Sequence, residues 1–75
     1  MERYRDINGD SGILAYETGP DFIRVQFKDN SVYLYTYASA GSHNIERMKS
    51  LAAAGDRLNV FINTNVKKAY ARKER

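Results

Sequence analysis

Two periodicities divide the chain near residue 38: apolar residues recur with a period of two before it and with a helical period after it. Gly12 to Glu17 reads as a first strand, closed by the turn signal Thr18-Gly19-Pro20-Asp21. Phe22 to Lys28 alternates, with Ile23, Val25 and Phe27 on one face and Arg24, Gln26 and Lys28 on the other. Asp29-Asn30 is a hairpin turn because both residue types tolerate positive φ, and Val32 to Tyr37 returns as a third strand rich in β-formers. Ser42 then caps a helix running to about Ala54, with Ile45, Met48, Leu51 and Ala52 as its apolar stripe and Gly55 as its terminator. Asp56 caps a second helix carrying Leu58, Phe61, Ile62, Val66, Ala69 and Tyr70 on one side. The predicted fold class is α+β: a three-stranded antiparallel meander followed by two helices on one face of the sheet, β-β-β-α-α.

The hairpin register decides what the tyrosines do. A two-residue loop, Asp29-Asn30, pairs Phe27 with Val32 and Val25 with Leu34, and puts Tyr33, Tyr35 and Tyr37 on the outer face with Arg24, Gln26 and Lys28. That face would be aromatic and basic, suited to stacking bases while cations meet phosphates. A three-residue loop, Lys28-Asp29-Asn30, pairs Val25 with Tyr33 and Ile23 with Tyr35, and turns both tyrosines towards the core. A small core needs large aromatics for bulk, which favours the second register.

Length sets the scale. At 75 residues and without cysteine, the chain is one small domain that rests on side-chain packing, with neither a disulfide framework nor a thiolate metal site. The N-terminus lacks the apolar segment of a signal peptide and no window is long and apolar enough for a membrane span, so a soluble cytoplasmic protein is expected. The net charge of +3 conceals an asymmetry. Residues 1–40 carry four bases against six acids, whereas residues 41–75 carry eight against three. The excess gathers in the last ten residues, at Lys67, Lys68, Arg72, Lys73 and Arg75. On a continuous helix Arg57, Thr64, Lys68, Arg72 and Arg75 share one arc, a seam that can track phosphates or simply keep the helix end soluble. Asn59 and Asn63 could bond a loop or a base.

No reaction is legible. His43 is the only histidine and has no carboxylate partner in view; Ser39 and Ser42 lack an ordered base, and no glycine-rich phosphate loop is present. Asp6 to Glu17 mimics the spacing of a calcium loop, but Ser11 stands where the sharp turn requires glycine, so no metal or other cofactor is expected. Val60, apolar and off the buried stripe, suggests a protein partner or self-association as the alternative to nucleic acid.

Between Ser11 and Tyr70 the chain resembles the KTSC domain, a module named after the C-terminus of some lysyl-tRNA synthetases and also found as a stand-alone bacterial protein. The resemblance rests on Ser11-x-Ile13, Tyr16, Val25-x-Phe27, Tyr33-x-Tyr35 and Ala52…Gly55-x-x-Leu58-Asn59-x-x-Ile62 in that order. Ala40-Gly41 departs from the Val-Pro that the family often carries before its first helix, and Val66 stands where the family's last tyrosine usually falls. The resemblance implies a single domain with a core at about residues 11–70 and RNA as the suggested ligand. The residues expected at a nucleic-acid surface are Arg24, Lys28, Tyr33, Tyr35, Arg57, Lys67, Lys68, Arg72, Lys73 and Arg75.

Overall fold

The computed structural model describes residues 1–7 and 12–75. Its elements are β1 (Glu2–Arg3), β2 (Ile13–Thr18), β3 (Phe22–Phe27), β4 (Val32–Thr36), α1 (Tyr37–Ala40), α2 (Ser42–Ala54), α3 (Leu58–Phe61), a π-helical turn (Ile62–Val66) and β5 (Arg72–Lys73). The fold is α+β, but the antiparallel sheet has five strands, in the order β1-β2-β3-β4-β5, where three were expected. The two additional strands are short edge pairings made by the chain ends, Glu2 opposite Tyr16 and Tyr33 opposite Lys73. Two-residue strands of charged residues carry no alternation, which is why periodicity misses them.

The β3–β4 hairpin adopts the three-residue loop. Val25 stands opposite Tyr33 and Ile23 opposite Tyr35. Asn30 takes the left-handed conformation, with φ of 73°, and its amide donates to the Phe27 carbonyl at 2.8 Å. Asp29 holds the turn shut, because its Oδ1 accepts from both the Ser31 amide (2.9 Å) and the Ser31 hydroxyl (2.6 Å). In β2 the register shifts between Ile13 and Ala15, so strict alternation fails. Ile13 and Tyr16 both join the helix-covered face, while Ala15 and Glu17 fall on the other.

The core lies between that sheet face and the helices. Ile13, Ile23, Val25 and Tyr35 from the sheet meet Ile45, Met48 and Ala52 from α2, and Leu58, Ile62 and Val66 beyond it. Tyr4 completes this cluster from outside the expected 11–70 core, only 3% exposed, its hydroxyl accepting from the Leu58 amide at 3.2 Å. That bond satisfies one of the orphan N–H groups at the start of α3. Asp56 was expected to cap this helix; the residue at the cap position is Arg57, in the left-handed region at φ 66°, with no side-chain cap.

Thr36 and Ser39 form a reciprocal capping box around α1, each side chain bonding the other's amide at 3.0 Å. Gly41, not Ser42, is the cap residue of α2, at φ 92°. The far end of α2 matches expectation: Gly55 is left-handed, at φ 72°, and its amide returns to the carbonyls of Leu51 and Ala52. A methyl at this position would stand 2.7 Å from Arg5 Cβ as well as in an unfavourable φ. Gly55→Ala is therefore expected to destabilise the domain by at least about 1–2 kcal/mol, measured as a lowered midpoint in urea unfolding. An unchanged midpoint would contradict this account of the α2 terminus.

The largest departure follows α3. The expected helix to Tyr70 winds into a π-helical turn and ends at Val66. Asn63-Thr64-Asn65 are weak helix formers, and their side chains compete for the backbone. The Thr64 hydroxyl donates to the Val60 carbonyl (2.9 Å), and the Asn65 amide group donates to the Phe61 carbonyl (3.3 Å). The chain then turns at Lys67 and Lys68 and runs back along β4 as β5.

Candidate nucleic-acid interface

Ending the helix at Val66 breaks the predicted basic seam, because Arg72, Lys73 and Arg75 belong to the sheet edge and not to a helix. The residues expected at one surface separate onto two faces. Arg24 and Arg72 flank Leu34 on the outer face. Arg24 Nε donates to Glu74 Oε1 at 2.7 Å, and its guanidinium lies 3.6 Å from Glu17. Arg72 Nη2 is 3.1 Å from Glu74 Oε2, and the Glu74 carboxyl is held below its ordinary value by these arginines. This ladder spans Leu34, which is 8% exposed although it stands on the outer face. Both arginines are thus engaged by carboxylates and screen an aliphatic side chain; a phosphate would have to displace Glu74 to reach them. Arg57 is exposed at the junction of α2 and α3, away from both groups.

The second group converges. A groove of about 600 Å³ opens between the β3–β4 hairpin, the π-helical turn and the segment leading to β5. Phe27, Tyr33, Tyr35 and Tyr70 supply its aromatic surface, Lys28, Lys67 and Lys68 its cations, and Asp29, Ser31 and Asn63 its hydrogen-bonding groups. Tyr33 is the hub. Its ring meets Phe27 edge-on with centroids 5.6 Å apart and Tyr70 at 4.8 Å, and Lys73 Nζ lies 5.9 Å from its centroid.

The two predicted platform tyrosines have different fates. Tyr35 is 2% exposed, and it belongs to the core as the floor of the groove, not to an open stacking surface. Burial, reinforced by the neighbouring Tyr33 and Tyr70 hydroxyls, pushes its pKa up to about 12. Tyr33 and Phe27 are half-buried and Tyr70 is 39% exposed, so the accessible aromatic surface of the groove belongs to these three. Lys28 reaches Asp6 Oδ2 at 3.4 Å across the surface, whereas no ion pair within 4.0 Å involves Lys67, Lys68 or Lys73 among the described residues. Asp29 sits among these cations with its carboxyl held below the ordinary range, chiefly by the Ser31 hydroxyl and amide.

Tyr70 was expected on the buried stripe of a helix and is instead part of the groove. The available signal was the run of weak helix formers at Asn63-Thr64-Asn65, which forecasts an end before Tyr70. Asn63, considered for base bonding, does line the groove, while Asn59 does not. Val60 is 60% exposed, as its off-stripe position implied, but one exposed apolar residue is ordinary on a protein surface. The calcium-like spacing falls partly on Asn8 to Ser11, outside the described residues; Glu17, its last position, is a β2 residue facing Arg24.

Fold and groove together define a small α+β domain with an aromatic, lysine-rimmed cleft at one end of its sheet. No family model, curated protein or solved structure matches the chain. No helix among the described residues is long and apolar enough to cross a membrane.

Proposed function

We propose that the chain is a non-catalytic, KTSC-like accessory domain that binds single-stranded RNA in the cytoplasm. The observation that carries this reading is the convergence of Tyr33 and Tyr70 with Lys28, Lys67 and Lys68 around one groove. Bases have π-faces that stack on aromatic rings whatever their sequence, and lysines contribute affinity through phosphate contacts that release counterions. An open aromatic cleft suits an unstacked base, whose faces a duplex keeps inside its own stack, so single strands are the fitting class. The synthetase context of the resembling family points the same way.

Titration of the protein against single-stranded and duplex RNA at two salt concentrations tests the proposal. Micromolar binding of the single strand, weakening with salt, is expected. The double variant Lys67→Ala/Lys68→Ala should lower the slope of log affinity against log salt by about 1.4, the value for two phosphate contacts on a single strand. Absence of binding at low salt would sink the reading, and duplex preference would relocate the surface to another face.

A further inference from the structure

Asp29 is the odd member of the groove. A site for phosphate alone gains nothing from a carboxylate beside its lysines, since like charge repels the ligand. Asp29 nonetheless lines the same cleft as Lys67 and Lys68, and its charge is retained. Its position is set by the hairpin: Ser31 donates twice to Oδ1, at 2.9 and 2.6 Å, which fixes a carboxylate whose acceptor capacity exceeds these bonds. Beyond closing the turn, the carboxylate adds an acceptor to the cleft, so a ligand using every part of it would bring an anion for the lysines, a flat ring for Tyr33 and Tyr70, and a hydroxyl donor for Asp29. A ribonucleotide has all of these, and a deoxyribonucleotide lacks the hydroxyl at the 2′ position.

We infer that the groove is a single-nucleotide site that selects RNA over DNA, with Lys67 and Lys68 on the phosphate, Tyr33 and Tyr70 against the base, and Asp29 accepting the ribose 2′-hydroxyl. This rests on the RNA-binding reading above and assigns its sugar specificity to one side chain. Carboxylate acceptance of a ribose hydroxyl is a recurrent solution in nucleotide sites, and a hydrogen bond to a charged group carries enough energy to discriminate. Asp29 touches the ligand without altering it; no bond is made or broken.

The test compares oligouridylate with oligodeoxyuridylate of equal length on wild type, on Asp29→Ala and on Asp29→Asn, in which the amide oxygen can still accept from Ser31. Wild type is expected to prefer the ribo-oligomer by about tenfold or more, and Asp29→Asn to reduce that ratio of affinities below about threefold. Equal affinity of wild type for the two oligomers overturns the sugar assignment and leaves the RNA-binding proposal standing. Full preference retained in both Asp29→Asn and Asp29→Ala overturns the role of Asp29, since the Asn amide N–H can donate to the 2′-oxygen whereas Ala has no hydrogen-bonding group. Failure of both oligomers to bind removes the proposed function and this inference together. A second measurement needs no variant: in amide NMR spectra of wild type, uridine 5′-monophosphate should shift Ser31, Tyr33 and Lys67 at lower concentration than 2′-deoxyuridine 5′-monophosphate or inorganic phosphate. Identical titrations by the two nucleotides would contradict the proposal even if the variant failed to fold.

Discussion

Tyr35→Ala is expected to leave the chain largely unfolded at room temperature. The side chain is 2% exposed and packs into the cluster that includes Ile23, Val25, Ile45 and Met48. Truncating a buried aromatic to alanine costs about 3–5 kcal/mol, from lost burial and the cavity left behind. A domain below about 70–80 residues rarely draws more than about 3–5 kcal/mol from its core, so the loss matches the whole net stability. Circular dichroism should show loss of the cooperative thermal transition. Tyr35→Phe retains the ring and should stay within about 1 kcal/mol of wild type. An open stacking residue would behave in the opposite way, with Tyr35→Ala folding normally and only RNA binding weakened. That outcome would contradict the observed register.

The same residue makes the domain sensitive to alkali. Tyr35 has a pKa of about 12 in the folded chain against 10.0 for an ordinary tyrosine. Below pH 10 both states keep the proton and the full contribution is present. As pH rises from 10 towards 12 the unfolded chain releases the proton while the folded chain retains it, so stability falls. The loss is about 2 kcal/mol at pH 12 and approaches about 3 kcal/mol above it, from roughly two units at 1.36 kcal/mol each. Tyr4, raised chiefly by burial, acts in the same direction. Urea unfolding at successive pH values should show this decline in wild type and a shallower one in Tyr35→Phe. Parallel curves would mean that Tyr35 ionises alike in both states.

These expectations also show why the groove was only partly legible beforehand. Lys67 and Lys68 stand out as charges, and Tyr33 as an aromatic, from the amino-acid order alone. Their meeting depends on the chain reversing after Val66, and a helix continued through Arg75 would carry Arg72 and Arg75 into one seam with Lys68. The reversal follows from the side-chain hydrogen bonds of Thr64 and Asn65 to helix carbonyls and from pairing of Arg72 with Leu34 across the sheet edge. The first is local and was open to prediction. The second joins residues far apart in sequence and leaves no periodic trace. Arg24 teaches the same lesson from the other face, where Glu74, fifty positions away, claims the guanidinium.

By itself the amino-acid order determined the strand-then-helix organisation, the stripe of α2, the glycine stop at Gly55 and the excess of positive charge near the C-terminus. All of these depend on local spacing or on one residue's backbone preference, and local geometry carries them. Tertiary structure alone decided three matters. It settled the hairpin register, which the need for aromatic bulk in a small core only favoured and whose alternatives differ by one residue in the loop and exchange the faces of every side chain in β4. It drew Tyr4 and β5, one at each end of the chain, into the fold. It also sorted the basic residues into those bound by carboxylates and those left around an aromatic groove. Each of these choices is made by burial and pairing between distant segments, because a side chain's worth there depends on what the rest of the chain brings against it.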